Sequence, residues 1–228
     1  MSLVGVLPCA GSQTRLKELH FAKELLPLFD GRPVIQHSID CLRLATPNLI
    51  AVVNPAKKDL LKFFKKQNIP VVITRTKGPI DTLHKAAKKV KTPILFALSD
   101  TYYEPSEVFV RLRENPHANV IGLFKAQYPE RLDSVTLKGS LVTNYTVKRD
   151  PPLSDWTMGC GKLDPQAFKH TRTGTEEIIF GNLFAPLTRL GLLYGLKFPH
   201  SSFFDLGTPH NYIEYLLHRF QSSSPKSM

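Results

Sequence analysis

Four short apolar runs, the first three each followed by residues with helical periodicity, fill the first hundred positions and leave few architectures open. The runs are residues 4–8, 49–53, 70–74 and 93–98. After the first, Pro33 can open a helix that places Ile35, Ile39 and Leu42 on one face. Residues 56–66 put Leu60, Phe63 and Phe64 on one helical stripe, and residues 79–91 do the same with Ile80, Leu83, Ala87 and Val90. Strands alternating with helices in this way imply right-handed crossovers and a parallel sheet covered by helices on both faces. The expected fold class is α/β: one Rossmann-like domain with a mixed, mainly parallel central sheet flanked by helices.

After Pro105 the pattern changes. Residues 119–125, 133–138 and 141–148 are strand-like with short separators, which suits an antiparallel extension of the sheet. Residues 156–163 and 192–205 add further strands, with a helix expected near 176–190. A closing helix has Thr208 as N-cap and Pro209 at its first position, with Ile213, Leu216, Leu217 and Phe220 as its apolar face. Residues 1–220 read as a single domain and 221–228 as a frayed tail.

The formal charge of +11 would attract polyanions. Lys57, Lys58, Lys62, Lys65 and Lys66 sit off the apolar stripe of their helix, as do Lys85, Lys88 and Lys89 on the next. This patterning reads as solvated helix faces, and with no aromatic–basic alternation a nucleic-acid partner is disfavoured. No run approaches the ~20 apolar residues of a membrane-spanning helix, so no membrane partner is expected. The N-terminus passes directly into a strand without a secretory pattern, and the three cysteines are widely spaced. Both features point to a cytoplasmic protein with reduced thiols.

Three loops at strand ends carry the polar residues suited to chemistry. The first, residues 7–16, follows strand one at the edge where open parallel sheets bind ligands. Gly11 permits close backbone approach, Ser12 and Thr14 offer hydroxyls, and Arg15 can hold phosphate oxygens; Lys23 adds a second cation. The second is Asp100-Thr101, ending the fourth strand, and the third is Asp205 in Phe204-Asp205-Leu206-Gly207-Thr208-Pro209. Each alone is also ordinary turn chemistry. Two strand-end carboxylates suffice for Mg²⁺ with phosphate oxygens if the fold brings them together.

In this order the segments resemble the sugar-phosphate nucleotidyltransferase family, which includes the glucose-1-phosphate thymidylyltransferases. Gly11-Ser12-Gln13-Thr14-Arg15 followed by Lys23-Glu24-Leu25-Leu26-Pro27-Leu28 looks like G-x-G-T-R … P-K-x-L-L-P-V. Leu98-Ser99-Asp100-Thr101 looks like L-G-D-N, and the Asp205 segment like W-x-D-x-G-T-P. Residues 156–168 look like G-x-Y-x-F-x-P-x-x-F. The resemblance implies a nucleotide-diphospho-sugar transferase type of fold and a Mg²⁺-dependent transfer from a nucleoside triphosphate, dTTP or UTP preferred, to a sugar 1-phosphate. It implies that Ala10, Gly11, Ser12, Gln13, Thr14 and Gly78 hold the nucleotide, with Arg15 and Lys23 on the reacting phosphates. Asp100 and Asp205 would hold the metal, and Gly159 would lie near the sugar. The chain departs from the pattern at Gln13, at Ala22 and in the absent E-K-P segment, where Lys148 or Arg149 could take the acceptor phosphate. A different phosphorylated alcohol as acceptor, a non-catalytic binder of nucleotide or sugar phosphate, and a homo-oligomer all stay open.

Overall fold

The computed structural model describes residues 3–11, 16, 19–172 and 178–223. Strands β1 (Val4–Cys9), β2 (Leu49–Val53), β3 (Val71–Ile73) and β4 (Ile94–Ala97) run parallel in the order β3-β2-β1-β4. Helices α1 (Val34–Ala45), α2 (Lys58–Lys66) and α3 (Pro79–Val90) form the crossovers. Successive strand residues point to opposite faces, and here both faces are apolar. Leu7, Ala51, Val53 and Leu95 pack with Ile35, Ile39, Leu60 and Phe64 on one side. Val6, Ile50, Val52, Ile94 and Phe96 pack with Ile80 and Leu83 on the other. This is why β2 and β4 are apolar throughout and do not alternate.

Beyond β4 the chain leaves the main sheet in β5 (Thr101–Glu104), forms α4 (Val108–Glu114), and returns through β6 (Val120–Lys125), β7 (Ser134–Lys138), β8 (Leu141–Thr146) and β9 (Trp156–Leu163). Then follow α5 (Gly181–Arg189), β10 (Tyr194–Lys197), β11 (Ser202–Asp205) and α6 (Pro209–Ser223). The nine-stranded sheet has the order β3-β2-β1-β4-β9-β6-β10-β8-β7, and β5 pairs with β11 in a separate antiparallel ribbon.

The expected α/β class holds, but the second half does not extend the sheet in chain order. β9 inserts antiparallel between β4 and β6, while β10 runs parallel to β6. Buried along most of its length, β9 needs neighbours on both sides, whereas the half-exposed β7–β8 hairpin suits the edge. The helix near 176–190 begins at Gly181; Glu176 and Glu177 lie outside the described residues. Neither β5 nor α4 was legible as an element.

Two readings of helix faces are corrected. On α6 the buried residue is Tyr215, with Tyr212 and Leu216 beside it, while Ile213, Leu217 and Phe220 are more than half exposed. The reason is polar as well as apolar: Tyr212 donates its hydroxyl to Pro27 O at 2.6 Å, and Tyr215 Oη accepts the Phe29 N–H at 3.3 Å. A phenol satisfies exposed loop backbone that Ile or Leu cannot. On the second helix, Lys57 is buried and not solvated, for the reason given below. The three cysteines are free and buried, and among the described residues no helix is long and apolar enough to cross a membrane.

Candidate active site

The carboxyl ends of β1, β2 and β4 meet at one edge, and neighbouring strands secure the first loop there. Ser99 donates its hydroxyl to Pro8 O at 3.0 Å, and Asn54 Nδ2 donates to Ala10 O at 3.3 Å. Ala10 is buried, and Gly11 after it is exposed. Ser12, Gln13, Thr14 and Arg15 lie outside the described residues.

Lys23 opens a short 3-10 turn, Lys23–Leu25. Its ammonium donates to the Asp100 carboxylate, both side chains being mostly covered. Burial works against the Lys23 charge, but Asp100 and Glu24, with a smaller contribution from Asp205, outweigh it and raise the pKa. Asp100 and Asp205 are far apart in sequence, and the β5–β11 ribbon joins them. Thr101 pairs with Asp205 in its register, and the Leu206 N–H donates to Asp100 O at 2.8 Å. Asp205 Oδ1 accepts the Gly207 N–H at 2.9 Å, and Asn211 Nδ2 donates to Asp205 O at 2.9 Å, fixing the turn into α6. One ammonium and two carboxylates from three separate segments thus share one edge of the sheet.

Beside Asp205 a cleft opens between the turn after β6 and the start of α6. Lys125, Gln127, Tyr128 and Arg131 line one wall, and Phe203, Asn211 and Glu214 the other. Tyr128 donates its hydroxyl to Glu214 at 2.9 Å, and the Arg131 guanidinium lies 4.8 Å from the centre of the Tyr128 ring.

Other candidate residues sit elsewhere or are explained by packing. Gly78, at φ 134°, lies against the main chain of Ile178: a Cβ there would be 2.7 Å from Ile178 O. Gly159 is buried under rings, and a Cβ would be 2.6 Å from Phe203 Cε2 and 2.8 Å from Phe124 Cε2. Its carbonyl accepts the Tyr103 hydroxyl at 2.8 Å. Lys148 and Arg149 are exposed after β8. Among the described residues, neither bonds to Lys23, Asp100 or Asp205.

The sequence reading missed Asn54, Ser99, Glu24, Lys57 and Asp59. Lys57 follows β2 at the carboxyl edge, as Asp100 follows β4, but its place at the start of a lysine-rich segment hid it.

Residues 5–140, more than half of the chain, match the MobA-like NTP transferase domain. The chain belongs to that family. By family this NTP transferase is a nucleotidyltransferase, and the match spans the Lys23 and Asp100 segments but ends before Asp205. Solved structures extend the likeness over nearly all of the NTP transferase fold. A putative glucose-1-phosphate thymidylyltransferase from Bacillus anthracis, in complex with a sucrose, superposes with TM-score 0.81 at 16% identity, covering 95% of each chain. A UDP-glucose pyrophosphorylase complexed with UDP-glucose does so with TM-score 0.81 at 16% identity, covering 97% of this chain and 100% of that one. A nucleoside-diphosphate-sugar pyrophosphorylase from Vibrio cholerae RC9 gives TM-score 0.75 at 18% identity, covering 93% and 99%. No curated protein matches the NTP transferase by sequence.

Proposed function

We propose that the chain transfers a nucleoside monophosphate from a nucleoside triphosphate, dTTP or UTP preferred, to a sugar 1-phosphate, and that it works in the cytoplasm. The observation that carries this reading is the convergence of Lys23, Asp100 and Asp205 at the carboxyl edge of the parallel strands. An acceptor phosphate oxygen attacks the α-phosphorus in line; the bond to the bridging oxygen breaks, and pyrophosphate leaves with that electron pair. The attacking oxygen is already anionic, so no general base is needed, and the barrier is charge repulsion and alignment. Lys23 offsets phosphate charge, and Arg15 is proposed to do the same.

Asp100 and Asp205 are hard oxygen donors of the kind Mg²⁺ takes. Among the described residues no group of three potential ligands surrounds them, so the remaining donors would be phosphate oxygens and water. When bound, Mg²⁺ supplies charge neutralisation on the triphosphate. Lys23 must then give up part of its hold on Asp100 and turn to phosphate.

For the acceptor, the Lys125 and Arg131 cleft beside Asp205 supports a phosphorylated ligand with several hydroxyls, since Asn211, Gln127 and Glu214 also line it. The deciding experiment is pyrophosphate release with Mg²⁺ across a grid of triphosphates and sugar 1-phosphates, with Asp100→Asn and Asp205→Asn alongside. Release that needs one pair and falls by roughly 10²-fold or more in both variants supports the transferase. Triphosphate binding without release for any pair rejects the sugar 1-phosphate reading.

A further inference from the structure

Behind Lys23 lies a second ion pair that the proposed chemistry does not use. Glu24 is 1% exposed, and its Oε1 accepts from Lys57 Nζ at 2.6 Å. Lys57, itself only 7% exposed, immediately precedes α2. Two residues further, Asp59 Oδ2 accepts the Ala22 N–H at 2.6 Å. The turn bearing Lys23 is therefore tied to the start of α2 on both sides, through the backbone of residue 22 and the side chain of residue 24. From the other direction, α6 holds residues 27–29 through Tyr212 and Tyr215.

Energetics argue that this pair is not kept for stability. Burial pushes the Glu24 carboxyl up, and Lys57 and then Lys23 only partly pull it back. Glu24 Oε2 is buried with no hydrogen-bond partner among the described residues. A well-packed apolar pair of the same volume would avoid both costs. What the ionic pair supplies is direction: a charge-assisted bond fixes one rotamer of the turn, while apolar packing tolerates several. Lysine otherwise carries much rotamer freedom, which a group aimed at a reacting phosphate must lose beforehand.

We propose that Glu24 and Lys57, with Asp59, are positioning residues that hold the Lys23 turn so that its ammonium faces Asp100 and the phosphates. The catalytic consequence rests on the transferase reading above; the positioning itself does not.

The test uses the full chain carrying Glu24→Gln with Lys57→Met, which removes both charges without stranding either, and Lys57→Arg as the conservative variant. Lysines are labelled with a small amine-acylating reagent and quantified by mass spectrometry, with exposed Lys58 and Lys62 as internal references. Wild type and Lys57→Arg are expected to protect Lys23 strongly, and the double variant, still folded by thermal melt, to lose that protection. Where turnover is measured, kcat falls by about tenfold or more while KM for the triphosphate stays within about threefold. A folded double variant with Lys23 as protected as in wild type overturns the proposal, as does wild-type kcat. Asp59→Ala, which removes the tie to the Ala22 N–H and leaves the Glu24–Lys57 pair in place, is read in the same way if the double variant does not fold. Absence of wild-type turnover with every pair rejects the sugar 1-phosphate reading alone, and the labelling still decides the positioning.

Discussion

At Gly159 a hydrogen is all the space allows. The rings of Phe203 and Phe124 close over it, and the nearest ring carbon would stand 2.6 Å from an added Cβ. Gly159→Ala is expected to lower stability by about 1–3 kcal/mol, as overpacking does elsewhere. Urea unfolding followed by far-UV circular dichroism measures it, and an unchanged midpoint would contradict the packing described. Legibility at this scale followed sequence position. Asp100 and Asp205 stood out because each ends an apolar run just before a turn. Glu24 and Lys57 did not, because one adjoins a more obvious lysine and the other lies among lysines that do face solvent. Only burial distinguishes Lys57 from Lys58, and burial is set by what docks against α2.

Among the elements, α6 teaches most. Its sequence offers two apolar arcs, and the one through Ile213 and Leu217 is the more hydrophobic by residue type. The other is buried because Tyr212 and Tyr215 combine ring area with hydroxyls that meet the backbone of residues 27–29. Ile213→Gln and Leu217→Gln should each change stability by no more than about 0.5 kcal/mol, whereas Tyr215→Ala should cost about 3 kcal/mol. Thermal melts of the three variants check the assignment, and equal losses at all three positions would refute it. The same reasoning explains β9. Its near-continuous burial was visible as an apolar strand, but a strand pattern carries no information about which neighbours it will have.

For the molecule as a whole, the proposed site would join the first half of the chain to its last strand and helix. A ligand held by Lys23, Asp100 and Asp205 would stabilise β1, the β5–β11 ribbon and α6 together. Mg²⁺ with the preferred triphosphate at about one hundred times its Kd should add about 2.7 kcal/mol, or roughly 5–10 °C in Tm. Differential scanning fluorimetry measures this, and Asp205→Asn should lose most of the metal-dependent part. A full shift in that variant would remove Asp205 from the site.

The sequence by itself determined the α/β class, the four parallel strands and their crossover helices, and the strand-end candidates. Those follow from local periodicity and from strand-end chemistry that neighbouring residues dictate. Tertiary structure alone decided that β9 separates β4 from β6, that Tyr215 and not Leu217 faces inward, and that Asp100 meets Asp205. Each of these depends on contacts between residues dozens of positions apart, where the outcome is set by which surfaces bury together.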